Sequence, residues 1–175
     1  MSAALHAFSM PPGSIKDMLA QQIANWQCVG HPALIERFVL RNGREFKPAP
    51  LMGRRGTPKE CFRNAAVRAP AVGGRYVEGF GYRPGLILIQ HAWVAVEHGY
   101  AMDPTWDRPE ECLYFGVPFD EVVWQAEQDR LGYYGLLDTP TGINVRFLFE
   151  RDPGLAEELA EANPAWARIA ERAAR

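Results

Sequence analysis

Residues 86–97, LILIQHAWVAVE, form a run that is apolar on both of the faces a β-strand would present. A strand of this kind lies at the centre of a sheet, because both of its faces must be covered. The preceding segment 75–82, RYVEGFGY, also has the composition of a strand, and a Pro-Gly turn joins the two. The short segment YAMD follows after EHG. The sequence therefore predicts a sheet of consecutive antiparallel strands.

Helical patterns lie on both sides of this sheet in the sequence. The predicted helices run from Ser14 to about Cys28, from about Pro32 to Arg41, over 119–130, and from 154 onward with a break at Pro164. Residues 44–56, rich in Pro and Gly, are predicted to be a loop, and 132–138 and 143–150 to be outer strands. We expect a single α+β domain spanning 1–175, with extra helices at both ends.

The composition excludes several classes of protein. With 47% hydrophobic and 23% charged residues, the chain resembles an ordinary globular protein. Its N-terminus, MSAALHAFSM, lacks the features of a signal peptide, and LILI is too short to cross a bilayer. Three cysteines without a CxxC pair argue against a disulfide scaffold. We therefore expect a cytoplasmic protein with no membrane partner.

Charge is distributed unevenly along the chain. Between Arg37 and Arg83 there are 11 basic and three acidic residues, whereas from Glu97 onward there are 16 acidic and seven basic ones. The basic stretch would suit an acidic partner or substrate, although solvated surface charge is the preferred explanation. No nucleic-acid-binding motif accompanies it, so a nucleic-acid partner is not expected.

The segment TPKECFRNAA, residues 57–66, has the pattern of a helix start. Thr57 is a suitable N-cap, Pro58 suits the first helical position, and Glu60 completes a capping box. Cys61 would then lie in the first turn, near unpaired backbone N–H groups and the positive end of the helix dipole.

Such a position favours the thiolate, which is the nucleophilic form of cysteine. The cations Lys59 and Arg63 flank Cys61 and act in the same direction. The alternative is that Cys61 is a small buried hydrophobic residue with no chemical role. The choice depends on whether a base can reach the thiol.

His91 and Asp103 lie on the predicted hairpin. If the turn is a three-residue loop ending at Gly99, Val96 faces Tyr100 and Asp103 projects on the same face as His91. Asp103 would then orient the imidazole and raise its basicity. A nucleophile, a base and an orienting acid are the groups that covalent catalysis requires.

Three other interpretations of these residues stay open. Glu78, brought across from His91 by a tight turn, would orient the imidazole instead of Asp103, or would face solvent. His91 would alternatively be a core histidine with no chemical role. A zinc site of Cys61, His91 and Cys112 matches no ordinary ligand spacing, so no metal or cofactor is expected.

The segments ECFRNAAVRA, RYVEGF and QHAWVAVEHGYAMDPTW resemble the core of the transglutaminase-like superfamily of cysteine enzymes. The resemblance covers about residues 57–106. It implies a papain-like α+β fold in which the nucleophile helix packs on an antiparallel sheet. It also implies that Cys61 is the nucleophile, His91 the base and Asp103 the acid that orients the base.

Members of this superfamily attack an amide-like carbonyl and form a thioester, which water or an amine then resolves. The resemblance therefore implies a cysteine peptidase or amidase acting on a peptide or isopeptide-like bond of a peptide or protein substrate. An acyl or glutaminyl transferase, or a non-catalytic binding module with the same fold, is the alternative. The backbone N–H of Cys61 is a natural oxyanion donor, and the possible side-chain contributors are Gln90, Asn64 and Trp106.

Overall fold

Five strands close into a barrel in the computed structural model of this protein, which describes residues 13–97 and 99–173. The order around the barrel is β1, β4, β3, β2 and β5, and β5 pairs again with β1. All neighbouring pairs are antiparallel except β1 and β4, which are parallel. The strands are β1 (Arg44–Ala49), β2 (Arg75–Tyr82), β3 (Ile89–Val96), β4 (Tyr100–Met102) and β5 (Leu113–Phe119).

Helices pack on the outside of this barrel and give the protein its mixed α+β architecture. They are α1 (Ile15–Cys28), α2 (Leu34–Asn42), α3 (Cys61–Ala71), α4 (Glu121–Leu131), α5 (Val145–Arg151), α6 (Pro153–Ala162) and α7 (Pro164–Ala173). A 3₁₀ turn spans Pro109–Glu111, and a small hairpin pairs β6 (Asp138–Thr139) with β7 (Gly142–Ile143). The predicted helix at Ser14 is confirmed, and Ser14 and Asp17 form its capping box.

The sheet divides the core into two layers because side chains alternate along each strand. Ala92 and Val94 of β3 pack outward against α3, in the large core that the helices share with the sheet. Trp93 and Ala95 point the other way, into the barrel, where they pack with Phe46 and other residues of the interior cluster. The same alternation places His91 on the interior side of β3.

The hairpin register expected from the sequence is confirmed. Val96 pairs with Tyr100 and Val94 with Met102, which leaves a three-residue connection. Gly99 ends this connection with a φ of 97°, a backbone conformation that favours glycine. Asp103 therefore follows β4 on the same face as His91.

Two strands of the barrel were not predicted. Residues 44–49 were expected to be a loop because of their prolines, but they form β1, which buries Phe46 inside the barrel. Pro48 is tolerated there, opposite Ala101 in the short parallel pairing. The second strand, β5, joins β1 to β2 and so closes the predicted antiparallel sheet into a barrel.

The expectation of outer strands near the C-terminus is largely wrong. Segment 143–150 was predicted to be a strand, but most of it belongs to helix α5, where Phe147, Leu148 and Phe149 are all buried. A short apolar run does not distinguish a buried strand from a buried helix turn, which explains the error. In 132–138 only the final residue joins a strand, and the rest is an irregular loop. The break at Pro164 is confirmed, because a new helix begins there.

Helix α3 begins three residues later than predicted, at Cys61 instead of Pro58. Its N-cap is Glu60, so Thr57 is not the cap and Pro58 is not helical. Lys59 has a φ of 68°, which interrupts the helical path before Cys61. Glu60 pairs with Arg63 instead of completing a capping box. Cys61 thus becomes the first helical residue, closer to the helix terminus than predicted.

No helix in residues 13–97 and 99–173 is long and apolar enough to cross a membrane. The N-terminal stretch MSAALHAFSM, in which no signal peptide is expected, lies outside the described residues.

Barrel closure requires glycine where β2 and β5 approach most closely. Gly79 pairs with Gly116, and a Cβ on Gly79 would lie 2.2 Å from the carbonyl oxygen of Phe115. We expect Gly79→Ala to lower the free energy of unfolding by about 3 kcal/mol, because the backbone itself must move. The control Gly85→Ala, with a φ of 85° and no atom within 4 Å of the new Cβ, should cost about 1 kcal/mol. Equal losses in urea denaturation would contradict this account.

Candidate active site

Three elements bring Cys61, His91 and Asp103 to one region of the protein. Cys61 is the first residue of α3 and is partly exposed. His91 lies on β3, the strand against which α3 packs. Asp103 directly follows β4, the next strand of the same hairpin. The hairpin and the helix are therefore the frame of the candidate site.

His91 and Asp103 form a buried pair. Nε2 of His91 lies 2.7 Å from Oδ2 of Asp103, and the side chains are 1% and 0% exposed. The carboxylate also accepts hydrogen bonds from the hydroxyl of Tyr114 at 3.0 Å and from the backbone N–H groups of Thr105 and Trp106 at 2.7 and 3.2 Å. Four partners thus surround a carboxylate that is removed from water.

This arrangement makes His91 a stronger base than a free histidine. Burial by itself would lower the pKa of His91, but the charge and hydrogen bond of Asp103, together with nearby Cys61, raise that pKa to about 9. Burial would raise the pKa of Asp103, but His91 and the backbone N–H groups outweigh it and lower that pKa. The pair is therefore an imidazolium and a carboxylate at neutral pH.

Trp106 covers the imidazole. Its ring stacks on that of His91 with centroids 4.0 Å apart and an angle of 10° between the planes. The stack requires glycine at position 81, since a Cβ there would lie 2.5 Å from the Trp106 ring. Trp106 was a possible oxyanion contributor; the structure places its ring flat against the base, where it fixes the plane of the imidazole.

Two N–H donors, one on α3 and one on β3, have no hydrogen-bond acceptor among the described residues. The N–H of Cys61 belongs to the first helical residue, which makes no intrahelical hydrogen bond. Nε2 of Gln90 is buried and has no hydrogen-bond partner in the described part of the chain. Strand alternation places Gln90 on the face of β3 that packs against α3, opposite to His91. A buried donor left unpaired costs about 1–3 kcal/mol, so a ligand that accepts from it gains affinity.

Asn64 does not have a free amide for an oxyanion. Its Nδ2 donates to the carbonyl oxygen of Thr57 at 2.7 Å and to the hydroxyl of Thr105 at 3.0 Å, and its Oδ1 accepts from the N–H of Thr57. Asn64 instead connects the segment before α3 to the segment after Asp103. A second link, from the N–H of Gly56 to the carbonyl oxygen of Pro104 at 2.7 Å, has the same effect.

Glu78 does not orient His91, because its side chain points to the opposite face of the sheet. In the observed register His91 pairs with Gly79, and Glu78 pairs with Ala92. The Glu78 carboxylate instead accepts hydrogen bonds from the hydroxyl of Tyr76 at 2.7 Å and from the N–H groups of Leu136 and Leu137 at 2.6 and 3.1 Å. The carboxylate that pairs with His91 is that of Asp103.

Four of the 11 basic residues between Arg37 and Arg83 form ion pairs with acidic residues from the second half of the chain. Arg37 and Arg41 pair with Glu158, and Arg41 also contacts Asp152. The other pairs between the two halves are Arg75 with Asp120 and Arg83 with Asp107. Part of the basic stretch is therefore paired across the fold, and the rest is not paired in this way among the described residues.

The other two cysteines occupy different environments. Cys28 is exposed at the end of α1, and Cys112 is buried, where burial raises its pKa to about 12. No group of three or more His, Cys, Asp or Glu side chains in residues 13–97 and 99–173 is arranged to hold a metal ion.

Comparisons of this chain with models of protein families, with curated proteins and with solved structures found no match.

Two supporting residues were not found from the sequence. Tyr114 lies on β5, a strand that was not predicted, and it reaches Asp103 only because the barrel closes. Thr105 supplies both a backbone N–H to Asp103 and a hydroxyl to Asn64. Its place in the motif DPTW was the available signal, since a residue just after Asp-Pro can bond back to the carboxylate.

Buried Glu78 should make the stability of the fold depend on pH. Burial raises its pKa from 4.5 to about 7 despite the three hydrogen bonds, with the charge of nearby Asp138 adding to the effect. The protonated form therefore stabilises the folded state, fully below pH 4.5 and progressively less as the pH rises through about 7.

We expect the free energy of unfolding to fall over this range by up to about 3 kcal/mol relative to Glu78→Gln, which cannot titrate. Urea denaturation of both proteins at a series of pH values measures the difference. Parallel curves would show that Glu78 has the same pKa in the folded and unfolded states.

Proposed function

We propose that this protein is a cysteine hydrolase of the peptidase or amidase type, with Cys61 as nucleophile, His91 as acid and base, and Asp103 as the residue that orients His91. The observation that carries the proposal is the buried ion pair of His91 and Asp103 beside a cysteine that opens a helix. An imidazolium at this position stabilises a thiolate by charge, as the helix terminus does by its dipole.

The reaction then proceeds in two stages. The Cys61 thiolate attacks the carbonyl carbon of an amide, and a carbon–sulfur bond forms while the carbonyl becomes an oxyanion. The carbon–nitrogen bond breaks as His91 transfers its proton to the leaving amine, which leaves a thioester on Cys61. Water next gives a proton to His91 and adds to the thioester carbon. Cleavage of the carbon–sulfur bond releases the acid and restores the thiolate.

Asp103 supports both stages without exchanging a proton. Its hydrogen bond engages Nε2 of His91, so Nδ1 is the ring nitrogen left for the thiol and the substrate. Its charge favours the imidazolium that donates to the leaving group. The hydrogen bonds from Tyr114 and Thr105 keep the carboxylate in this orientation.

The N–H of Cys61 and Nε2 of Gln90 are the donors that we assign to the oxyanion. Both belong to rigid elements, a helix start and a central strand, and neither has a described acceptor. Donors that are fixed before the reaction stabilise the developing negative charge without reorganisation.

The fold supports assignment of residues 57–106 to the transglutaminase-like superfamily, with a papain-like arrangement of its core. Helix α3 packs on β3, and β3 continues into the hairpin that ends at Asp103, in the order that the motifs imply. The closed barrel contributed by β1 and β5 is the part of the fold that the superfamily resemblance did not imply.

The proposal predicts that Cys61 reacts selectively. Iodoacetamide at mildly acidic pH should modify Cys61 well before Cys28 or Cys112, because only Cys61 has an imidazolium and a helix start beside it. Exposed Cys28 is the internal control for access alone. Mass spectrometry of tryptic peptides over time gives the three rates. Equal rates for Cys61 and Cys28 would falsify the assignment, and Cys61→Ser should retain the fold and lose hydrolysis of peptide amides.

The proposal also predicts a specific change in pH dependence. Hydrolysis should decline as the pH rises through about 9, where His91 loses the proton that the leaving amine needs. Asp103→Asn should move this decline to lower pH by about one unit or more, because the charge that raises the pKa of His91 is gone. The rate should also fall roughly 10²–10⁴-fold.

Glu78→Gln is the matched control, since Glu78 is an equally buried carboxylate on the other face of the sheet. In Glu78→Gln, hydrolysis should decline with rising pH over the same range as in the wild type. If kcat/KM against pH changes more in Glu78→Gln than in Asp103→Asn, Glu78 and not Asp103 orients His91.

A further inference from the structure

A cavity lies at the start of α3, the helix whose first residue is Cys61. It has a volume of about 330 Å³ and lies between the start of α3 and the loop that follows α4. We call it the tyrosine cleft; its lining residues are Lys59, Glu60, Phe62, Arg63, Tyr133 and Tyr134. The four residues from the α3 side are the two that precede Cys61 in the sequence and the two that follow it.

The two tyrosines give the cleft an aromatic wall. Tyr133 and Tyr134 are 37% and 39% exposed, although they are large side chains with much apolar surface. Phe62 adds a third ring from the opposite side. Adjacent exposed rings that line a concave surface are typical of a binding site, because they bury a large area at a small cost in side-chain entropy.

Polar contacts hold this wall in place. The carbonyl oxygen of Tyr134 accepts a hydrogen bond from Nε2 of Gln128 at 2.8 Å and lies 2.9 Å from the hydroxyl oxygen of Tyr76, which shares its one hydrogen between this oxygen and Glu78. Two residues further along, the N–H of Leu136 donates to Glu78. A loop fixed in this way presents its side chains in one arrangement, which reduces the entropy lost when a ligand binds.

The same network connects the wall to the nucleophile. Burial, Glu78 and then the nearby Cys61 raise the pKa of Tyr76. The Tyr76 hydroxyl, which lies 2.9 Å from the carbonyl oxygen of Tyr134, is therefore within electrostatic range of Cys61. Across the cleft, Glu60 and then Tyr134 raise the pKa of Arg63, so the two walls are near neighbours.

The cleft carries a net positive charge. Arg63 pairs with Glu60 at 2.8 Å, and this leaves Lys59 with no ion-pair partner among the described residues. Lys59 is exposed and is held at a positive φ of 68°, just ahead of the helix. An acidic group on a ligand complements this charge.

We propose that the tyrosine cleft is the substrate subsite next to the scissile bond, and that it binds an aromatic side chain followed by an acidic residue. This inference rests on the proposed function and specifies its substrate class: peptides with an aromatic residue beside the cleaved bond and a carboxylate close to it. The rings bind the aromatic side chain, and Lys59 binds the carboxylate.

The test uses chloroacetyl peptides, which alkylate a thiolate with loss of chloride and require no amide hydrolysis. The reference probe is chloroacetyl-phenylalanyl-glutamate amide. One comparison probe has leucine in place of phenylalanine and so lacks the aromatic ring; the other has glutamine in place of glutamate and so lacks the carboxylate. The inhibition constant KI and the limiting rate are measured for Cys61 by mass spectrometry. Iodoacetamide, which has no side chain to bind, is the reference for intrinsic reactivity.

We expect wild-type protein to bind the phenylalanine probe about tenfold more tightly than the leucine probe. Tyr134→Ala should remove most of this preference, and Tyr134→Phe should retain it. Tyr100→Ala, at a similarly exposed tyrosine on β4, is the matched control and should behave as the wild type. Lys59→Gln should remove only the preference for glutamate over glutamine.

Equal KI values for the phenylalanine and leucine probes in the wild type would overturn the subsite, as would a preference that survives in Tyr134→Ala. The rate of hydrogen exchange at the N–H of Leu136 shows whether the loop of each variant keeps its arrangement. The conclusion is drawn from variants in which this N–H exchanges as slowly as in the wild type. If iodoacetamide alkylates Cys61 quickly but the chloroacetyl probes show no preference for phenylalanine, the subsite is refuted and the proposed function is not. Slow alkylation by every reagent refutes the proposed function.

Discussion

Burial of the Asp103 carboxylate is the constraint on which the candidate site depends. A charge removed from water is costly unless hydrogen bonds and an opposite charge replace the solvent. Asp103 receives hydrogen bonds from His91, Tyr114, Thr105 and Trp106, which come from three separate parts of the chain. The strand β3, the strand β5 and the turn after β4 must therefore all be in place before this carboxylate can be buried.

The sheet meets this requirement by closing on itself. Facing glycines at positions 79 and 116 let β2 and β5 approach closely, and the ring of Trp93 then fits over Gly116 inside the barrel. Tyr114 of β5 reaches Asp103 as a result. The helices outside the barrel cover its other face, where α3 carries Cys61. The core and the site are thus two consequences of one arrangement of strands.

The sequence predicted local features well and closure poorly. The hairpin register followed from the short turn at Gly99, because a loop of fixed length leaves one pairing that buries His91 and Asp103 together. The pattern of a helix start likewise placed Cys61 in the first turn of a helix, although it predicted Thr57 as the N-cap instead of Glu60. These features depend on residues close together in the chain.

The features that were missed depend on distant contacts. Strand β1 contains prolines and looked like a loop, and its role appears only when β4 and β5 provide edges for it. Glu78 would face His91 if a tight turn set the two opposite each other, but the observed register pairs His91 with Gly79, and Glu78 on the other face accepts from the N–H groups of Leu136 and Leu137, nearly 60 residues away. A pattern of neighbouring residues does not predict a hydrogen-bond partner so distant in the sequence.

The parallel pairing of β1 with β4 has a consequence for how the protein matures. This pairing and the links from Gly56 to Pro104 and from Asn64 to Thr105 join the segment ahead of α3 to the segment around Asp103. Such contacts between distant parts of a chain form slowly, because a large loop must close first. A partly folded chain therefore contains Cys61 without the buried pair of His91 and Asp103, and this pair is assembled only when the barrel is complete.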